Sequence, residues 1–139
     1  MKKLILTFAL AFATIGLLAQ EKSEKNITVT IDHIQNDNGK VLVSLHTKET
    51  FLKGLGIQNL ESVIKDGKVV LKFENVPSGE YAILALHDEN DNRRMDFESN
   101  GMPVESYGMS GNEMSMGPPT FSSAKFTLTD DDLEFNIQF

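Results

Sequence analysis

Residues 79–96 read GEYAILALHDENDNRRMD. In residues 80–86, Tyr81, Ile83 and Ala85 alternate with Ala82, Leu84 and Leu86, so the segment is apolar on both faces. A strand without a polar face belongs at the centre of a sheet with cover on both sides. At His87-Asp88 the composition changes to carboxylates and amides. The chain then runs through Gly, Pro, Met and Tyr until another strand pattern begins near Phe121. A connection that long inside a compact domain is uncommon and is usually functional, ordered by its own contacts, or disordered.

Upstream, the period is two. Ile27, Val29, Ile31 and His33 alternate with Thr28, Thr30 and Asp32, which describes a half-buried strand. Asn36-Asp37-Asn38-Gly39 follows, and Asn-Gly predicts a tight hairpin into a strand over residues 40–47, with Val41, Val43 and Leu45 on one face. Residues 48–59 carry Gly54 and Gly56 and no helical pattern. Asp66-Gly67 predicts a second hairpin between strands at 60–65 and 68–73. After the long loop, strands are expected from about Phe121 to Leu128 and from Leu133 to Phe139, joined by Asp130-Asp131-Asp132. The expected fold is all-β: a single antiparallel β-sandwich of about seven strands with one long ordered loop, because an apolar sheet face must be buried against a second layer.

Residues 1–19 stand apart from this pattern. Lys2 and Lys3 precede an uncharged apolar run over residues 4–18, and Ala19-Gln20 is a plausible cleavage point. This is the architecture of a secretory signal peptide, since the run is short of the ~20 residues of a membrane-spanning helix. Residues 20–25 read as a disordered polar leader and residues 26–139 as the domain. The protein is thus expected to be exported, periplasmic or secreted, and not inserted in the membrane after cleavage. No Cys is present, so it is not a lipoprotein and holds no disulfide. Losing two lysines and no acid makes the exported chain more negative, by two units, than the −7 of the whole sequence. Such a surface repels phosphate backbones and excludes nucleic acid as a natural partner. Divalent cations suit it better.

The densest polar cluster supplies a cation candidate. Asp88, Asn90, Asn92 and Asp96 fall at positions one, three, five and nine of a loop, with the Arg94 carbonyl at seven. That is how calcium loops begin, with alternate side chains and one backbone oxygen converging on a hard cation. Arg93 replaces the glycine of position six and Ser99 the bidentate Glu of position twelve, so Glu98 or Glu105 would have to substitute, and the Ca²⁺ affinity should be weak. A solvated acidic turn is the alternative. His33, His46 and His87 share no ligand spacing. Gly108-Met109-Ser110-Gly111 lacks the final Gly of a nucleophile elbow, with Asn112 in its place. The loop also holds five of the six methionines, which suit irregular packing.

The run GEYAILALHDENDNRRMD, followed by GMPVESYGMS and PPTFSSAKF, resembles a bacterial family of small exported proteins known as domain of unknown function 2141. The match in order and spacing includes Gly79, Tyr81, His87, Asp88, Asn90, Asn92, Asp96, Glu105 and Tyr107. It departs at Arg93, where the family usually has Gly. The resemblance implies an immunoglobulin-like or transthyretin-like (prealbumin-like) sandwich in the bacterial envelope and no established activity. The reading that follows is a non-catalytic envelope module that uses residues 88–120 to bind a protein or glycan ligand, with a weak calcium site. The alternative is a hydrolase-type enzyme using paired carboxylates, Asp88 with Asp96 or Glu98 with Glu105. The absence of Trp and the presence of only two Tyr favour the module over an aromatic-lined cleft.

Overall fold

The computed structural model describes residues 23–111 and 117–139. The expected signal segment, the start of the polar leader, Met114 and Met116 lie outside the described residues. Eight strands and one short helix occur among those described: β1 Glu24–Ile31, β2 Lys40–His46, β3 Gln58–Ser62, β4 Val69–Pro77, β5 Gly79–Asp88, β6 Tyr107–Met109, α1 Phe121–Ala124, β7 Phe126–Leu128 and β8 Leu133–Ile137. They form two sheets, β4-β1-β8 and β3-β2-β5-β6, with β7 also pairing β5. The fold is an all-β sandwich. No helix among the described residues is long and apolar enough to cross a membrane.

The core follows the period-two patterns. Ile27, Val29 and Ile31 of β1 face Val41, Val43 and Leu45 of β2, with Phe73, Val76, Ile83, Ala85 and Ile137 filling the same cluster. On β5, Ile83 and Ala85 enter this core, while Ala82 on the opposite face is buried under Phe51, Met109 and Ala124. The strand is therefore covered on both sides, as its composition requires. Tyr81 donates its hydroxyl to the Pro77 carbonyl at 2.8 Å, which pins the corner between β4 and β5.

Neither expected hairpin joins paired strands. β1 is flanked by β4 on one side and β8 on the other, so no edge is left for β2, which pairs with β3 and β5 instead. Asp66 and Gly67 do adopt φ of 54° and 68°, as an Asn-Gly-type turn demands. They close only a single bridge, Lys65 to Lys68, before β3 and β4 diverge into different sheets. Both turns are corners between layers, and Asp37 ties them together by accepting the Asp66 and Gly67 amides at 3.2 and 3.0 Å.

Four further details differ from the sequence reading. The sandwich is not wholly antiparallel, because β8 crosses to the other sheet and runs parallel to β1. The leader ends early: Glu24 and Lys25 already pair with Pro77 and Val76 in β1, since β4 is long enough to receive them. Phe121 opens α1 rather than a strand; the Thr120 hydroxyl accepts from the Ser123 amide in a capping box, a local bond that competes with extended structure. β6 has no signal of its own in the sequence and pairs with β5 over three residues.

Two predictions come from this packing. Ile83 is fully buried in the main core, so Ile83→Ala should cost about 2–5 kcal/mol of stability. Leu84, only partly buried at the second cluster, should cost less, and chemical denaturation of both variants checks the order. The second concerns His46, which is 2% exposed, packs edge-on to Phe51 at 5.9 Å and contacts the Thr50 carbonyl at 3.1 Å. Burial pushes its imidazole below the ordinary value near 6.5, partly offset by that carbonyl. The unfolded chain therefore takes up the proton more readily. The stabilisation is complete above the unfolded value, declines as pH falls below it and is fully lost once pH has passed the lowered folded value. The melting temperature should fall between pH 7 and pH 5, less steeply in His46→Gln, and equal slopes in the two proteins would exclude His46 as the cause.

Candidate functional site

The end of β5 delivers the loop. His87 is buried, its Nε2 2.9 Å from the Asn38 carbonyl and its ring stacked on Phe139 at 6.2 Å and 10°. Beneath the strand end lies Gly39, at φ 62°, where a Cβ would collide with the Asp88 carbonyl. Only glycine allows the 36–39 turn to approach so closely.

Asp88 is fully buried. Its Oδ1 accepts from the Asn92 amide at 3.0 Å and its Oδ2 from the Arg93 amide at 2.7 Å. These bonds bend the chain back over the end of the strand. The bend needs the left-handed region at Asp91 and Arg93, with φ of 57° and 61°. Arg93 thus adopts the sharp-turn conformation for which calcium loops use glycine at position six. Asn90 and Asn92 form successive Asx-turns, accepting the amides of Asn92 and Arg94 at 3.1 and 3.0 Å. With their oxygens so engaged, their Nδ2 groups converge on one atom, Asp96 Oδ2, at 2.6 and 2.7 Å.

Glu105 closes the loop from its far end. It is 6% exposed and accepts from the Glu89 amide with Oε1 at 3.0 Å and from the Asp96 amide with Oε2 at 3.2 Å. Loop spacing alone offers it only as a replacement for the missing position-twelve Glu. In the fold it is a backbone clamp, a role for which the sequence carries no separate signal. Between Asp96 and Glu105 a small hairpin projects, held by Glu98 N to Met102 O at 2.8 Å, Val104 N to Asp96 O at 2.9 Å and a bridge from Phe97 to Pro103. Glu98 stays on this hairpin, accepting from Asn100 Nδ2 at 3.1 Å.

Charged side chains brace the loop against the sheet. Lys40 Nζ lies 3.3 Å from Asp91 and 3.4 Å from Glu61, and Arg93 lies 3.2 Å from Glu61. Hydrogen bonds to Asp91 and then Glu61 hold the Lys40 ammonium above its ordinary value. These pairs are solvent-accessible and individually weak. Arg94 places its guanidinium 3.6 Å from Asp96.

Of the expected cation set, Asp88, Asn90, Asn92 and Asp96 are therefore assembled in one hydrogen-bonded ring, and Arg94 adjoins it. Among the described residues no group of three or more His, Asp or Glu side chains is placed to hold a metal ion; the ring mixes two carboxylates with two amides. As arranged, amide N–H groups face Asp96 where a cation would require oxygens, so a cation would have to turn both amides and break their Asx-turns. The three histidines do not meet. His33 lies on Asp32, His46 at Thr50 and His87 at Asn38. Ser110 is buried, its Oγ accepting from the Ile83 amide and donating to the Ala124 carbonyl, which makes it a splice between β5, β6 and α1.

The family model described as an uncharacterized protein conserved in bacteria (DUF2141) matches residues 29–136. The chain belongs to this family. Comparison with curated proteins and with solved structures returned no match.

Glu105→Gln should show what the clamp contributes. The amide can accept from only one of the two backbone N–H groups, so a loss of about 1–3 kcal/mol is expected. Hydrogen exchange should quicken first at Glu89 and Asp96. Unchanged protection at both amides would remove Glu105 from this role.

Proposed function

We propose that this chain is an exported, non-catalytic binding module of the bacterial envelope whose ligand-facing segment is the 88–105 loop, and that the loop takes up Ca²⁺ weakly. The observation that carries the reading is the convergence of Asn90, Asn92 and Asp96 above the buried Asp88. A preformed polar ring on the end of a rigid central strand is suited to recognition. Asp88, Asn90, Asn92 and Asp96 would hold the ion through side-chain oxygens and Arg94 through its carbonyl. The amide reversal that this requires keeps the affinity in the range of extracellular modules, about 10⁻⁴ to 10⁻³ M. Export is supported by Lys2-Lys3 and the apolar run behind them. Against paired-carboxylate catalysis, both oxygens of Asp88 and both of Glu105 serve as acceptors for backbone amides. Protonation of either would disrupt the loop.

At a free Ca²⁺ concentration ten times the dissociation constant, linkage stabilises the fold by about 1.4 kcal/mol, a few degrees in melting temperature. Asp96→Asn should abolish that rise. It is a cleaner substitution than Asp88→Asn, which would also disturb the two backbone bonds. A shift no larger with Ca²⁺ than with Mg²⁺ would defeat the calcium assignment. An exported product whose N-terminal sequence still begins at Met1 would defeat the cleaved-signal assignment.

A further inference from the structure

Two groups of large apolar side chains are exposed, and they lie at opposite ends of one sheet. The first is the projecting hairpin, where Phe97, Met102 and Val104 are each 61% exposed. The second is the 47–57 connection, with Leu52 at 54%, Leu55 at 81% and Ile57 at 45%. β2 and β5 pair from Lys40–Asp88 at one end to His46–Ala82 at the other, a separation of about 20 Å at the usual rise per residue. Exposed apolar groups of this kind are a recurrent mark of interaction sites.

Both groups are presented on backbone that is already fixed. The hairpin carries the bonds described above. In the other loop, the Phe51 amide donates to Thr47 O at 3.0 Å, the Lys53 amide to Thr50 O at 3.0 Å, the Ile57 amide to Leu45 O at 2.7 Å, and Asn59 clamps Gly56 through two bonds of 2.9 Å. Fixed loops lose little further freedom on binding.

Charge selects the occupant. Apart from the buried Asp88 and Glu105, the 88–105 loop carries Glu89, Asp91, Asp96 and Glu98 against Arg93 and Arg94, so two such loops meeting tip to tip would bring net like charge together. The 47–57 loop carries Lys48 and Lys53 against Glu49 alone. The aspartates of the 129–132 turn share that end of the molecule but lie beyond β5, past β7. An acidic apolar tip and a basic apolar loop are complementary to each other and neither is complementary to itself.

We propose that the protein associates head to tail with a second copy of its own chain, the 97–104 hairpin of one molecule seating on the 52–57 loop of the next. Such a contact is heterologous, and it propagates unless the rotation between copies closes a ring. It does not depend on calcium.

Sedimentation velocity across a concentration series, on protein purified from cells expressing the full chain, tests it. The wild type should gain mass with concentration. Phe97→Ser and Leu55→Ser should each stay monomeric, with melting temperatures near that of the wild type because both side chains are exposed. An equimolar mixture of the two should give a dimer and nothing larger, since one partner keeps an intact loop and the other an intact hairpin. Lys48→Glu with Lys53→Glu should weaken association about tenfold or more. A wild type that remains monomeric at every concentration overturns the proposal, whether or not it binds phosphatidylcholine vesicles. So does self-association surviving in either single variant, or a mixture that fails to dimerise.

Discussion

The carboxylate of Asp88 is the constraint on which the loop end depends. Burying an ionised carboxylate is costly unless its oxygens are hydrogen-bonded, and here they receive the backbone amides of Asn92 and Arg93. The same two bonds force the chain through the left-handed region at Asp91 and Arg93, which costs non-glycine residues of order 1–3 kcal/mol each. Strain and desolvation are thus offset by one set of contacts. Removing the carboxylate would leave two N–H groups without acceptors as well as an unsupported turn. Glu105 repeats the device from the other side with the amides of Glu89 and Asp96.

Much of the fold was legible because inward residues recur with period two. Val41, Val43 and Leu45, and the two faces of β5, could be assigned by alternation alone. Pairing partners could not. Asn38-Gly39 and Asp66-Gly67 encode local backbone angles, whereas the neighbours of β1 depend on which strand matches its buried face across a long chain separation. The Asp66-Gly67 turn accordingly has the expected dihedrals and joins strands of different sheets. α1 escaped notice for a related reason: its stability comes from Thr120 and Ser123 capping one turn, too short for any periodicity to register.

The candidate site was legible in membership and not in arrangement. The alternation of Asp88, Asn90, Asn92 and Asp96 brings these side chains together as the spacing implies. Spacing says nothing about which atom of an asparagine points inward. In the fold the Asx-turns engage the oxygens and leave the amino groups to face Asp96. Arg93, which stands where a calcium loop has glycine, is no obstacle to the turn, because the Asp88 carboxylate stabilises its left-handed conformation from below.

β5 gives these local features a common frame. At one end Ala82 is locked under Phe51, which belongs to the loop bearing Leu52 and Leu55; at the other, Asp88 anchors the turn that leads to Phe97 and Met102. Burial on both faces leaves the strand little freedom to bend, so the spacing and orientation of the two loops are set by a single run of ten residues. A protein that met its partners through one mobile loop would have no need of this. Rigid separation matters when two surfaces must be used in register, as they are in an assembly whose repeat is one molecule long. The doubly apolar sequence of residues 80–86 is then the feature that couples the core to whatever the two ends bind.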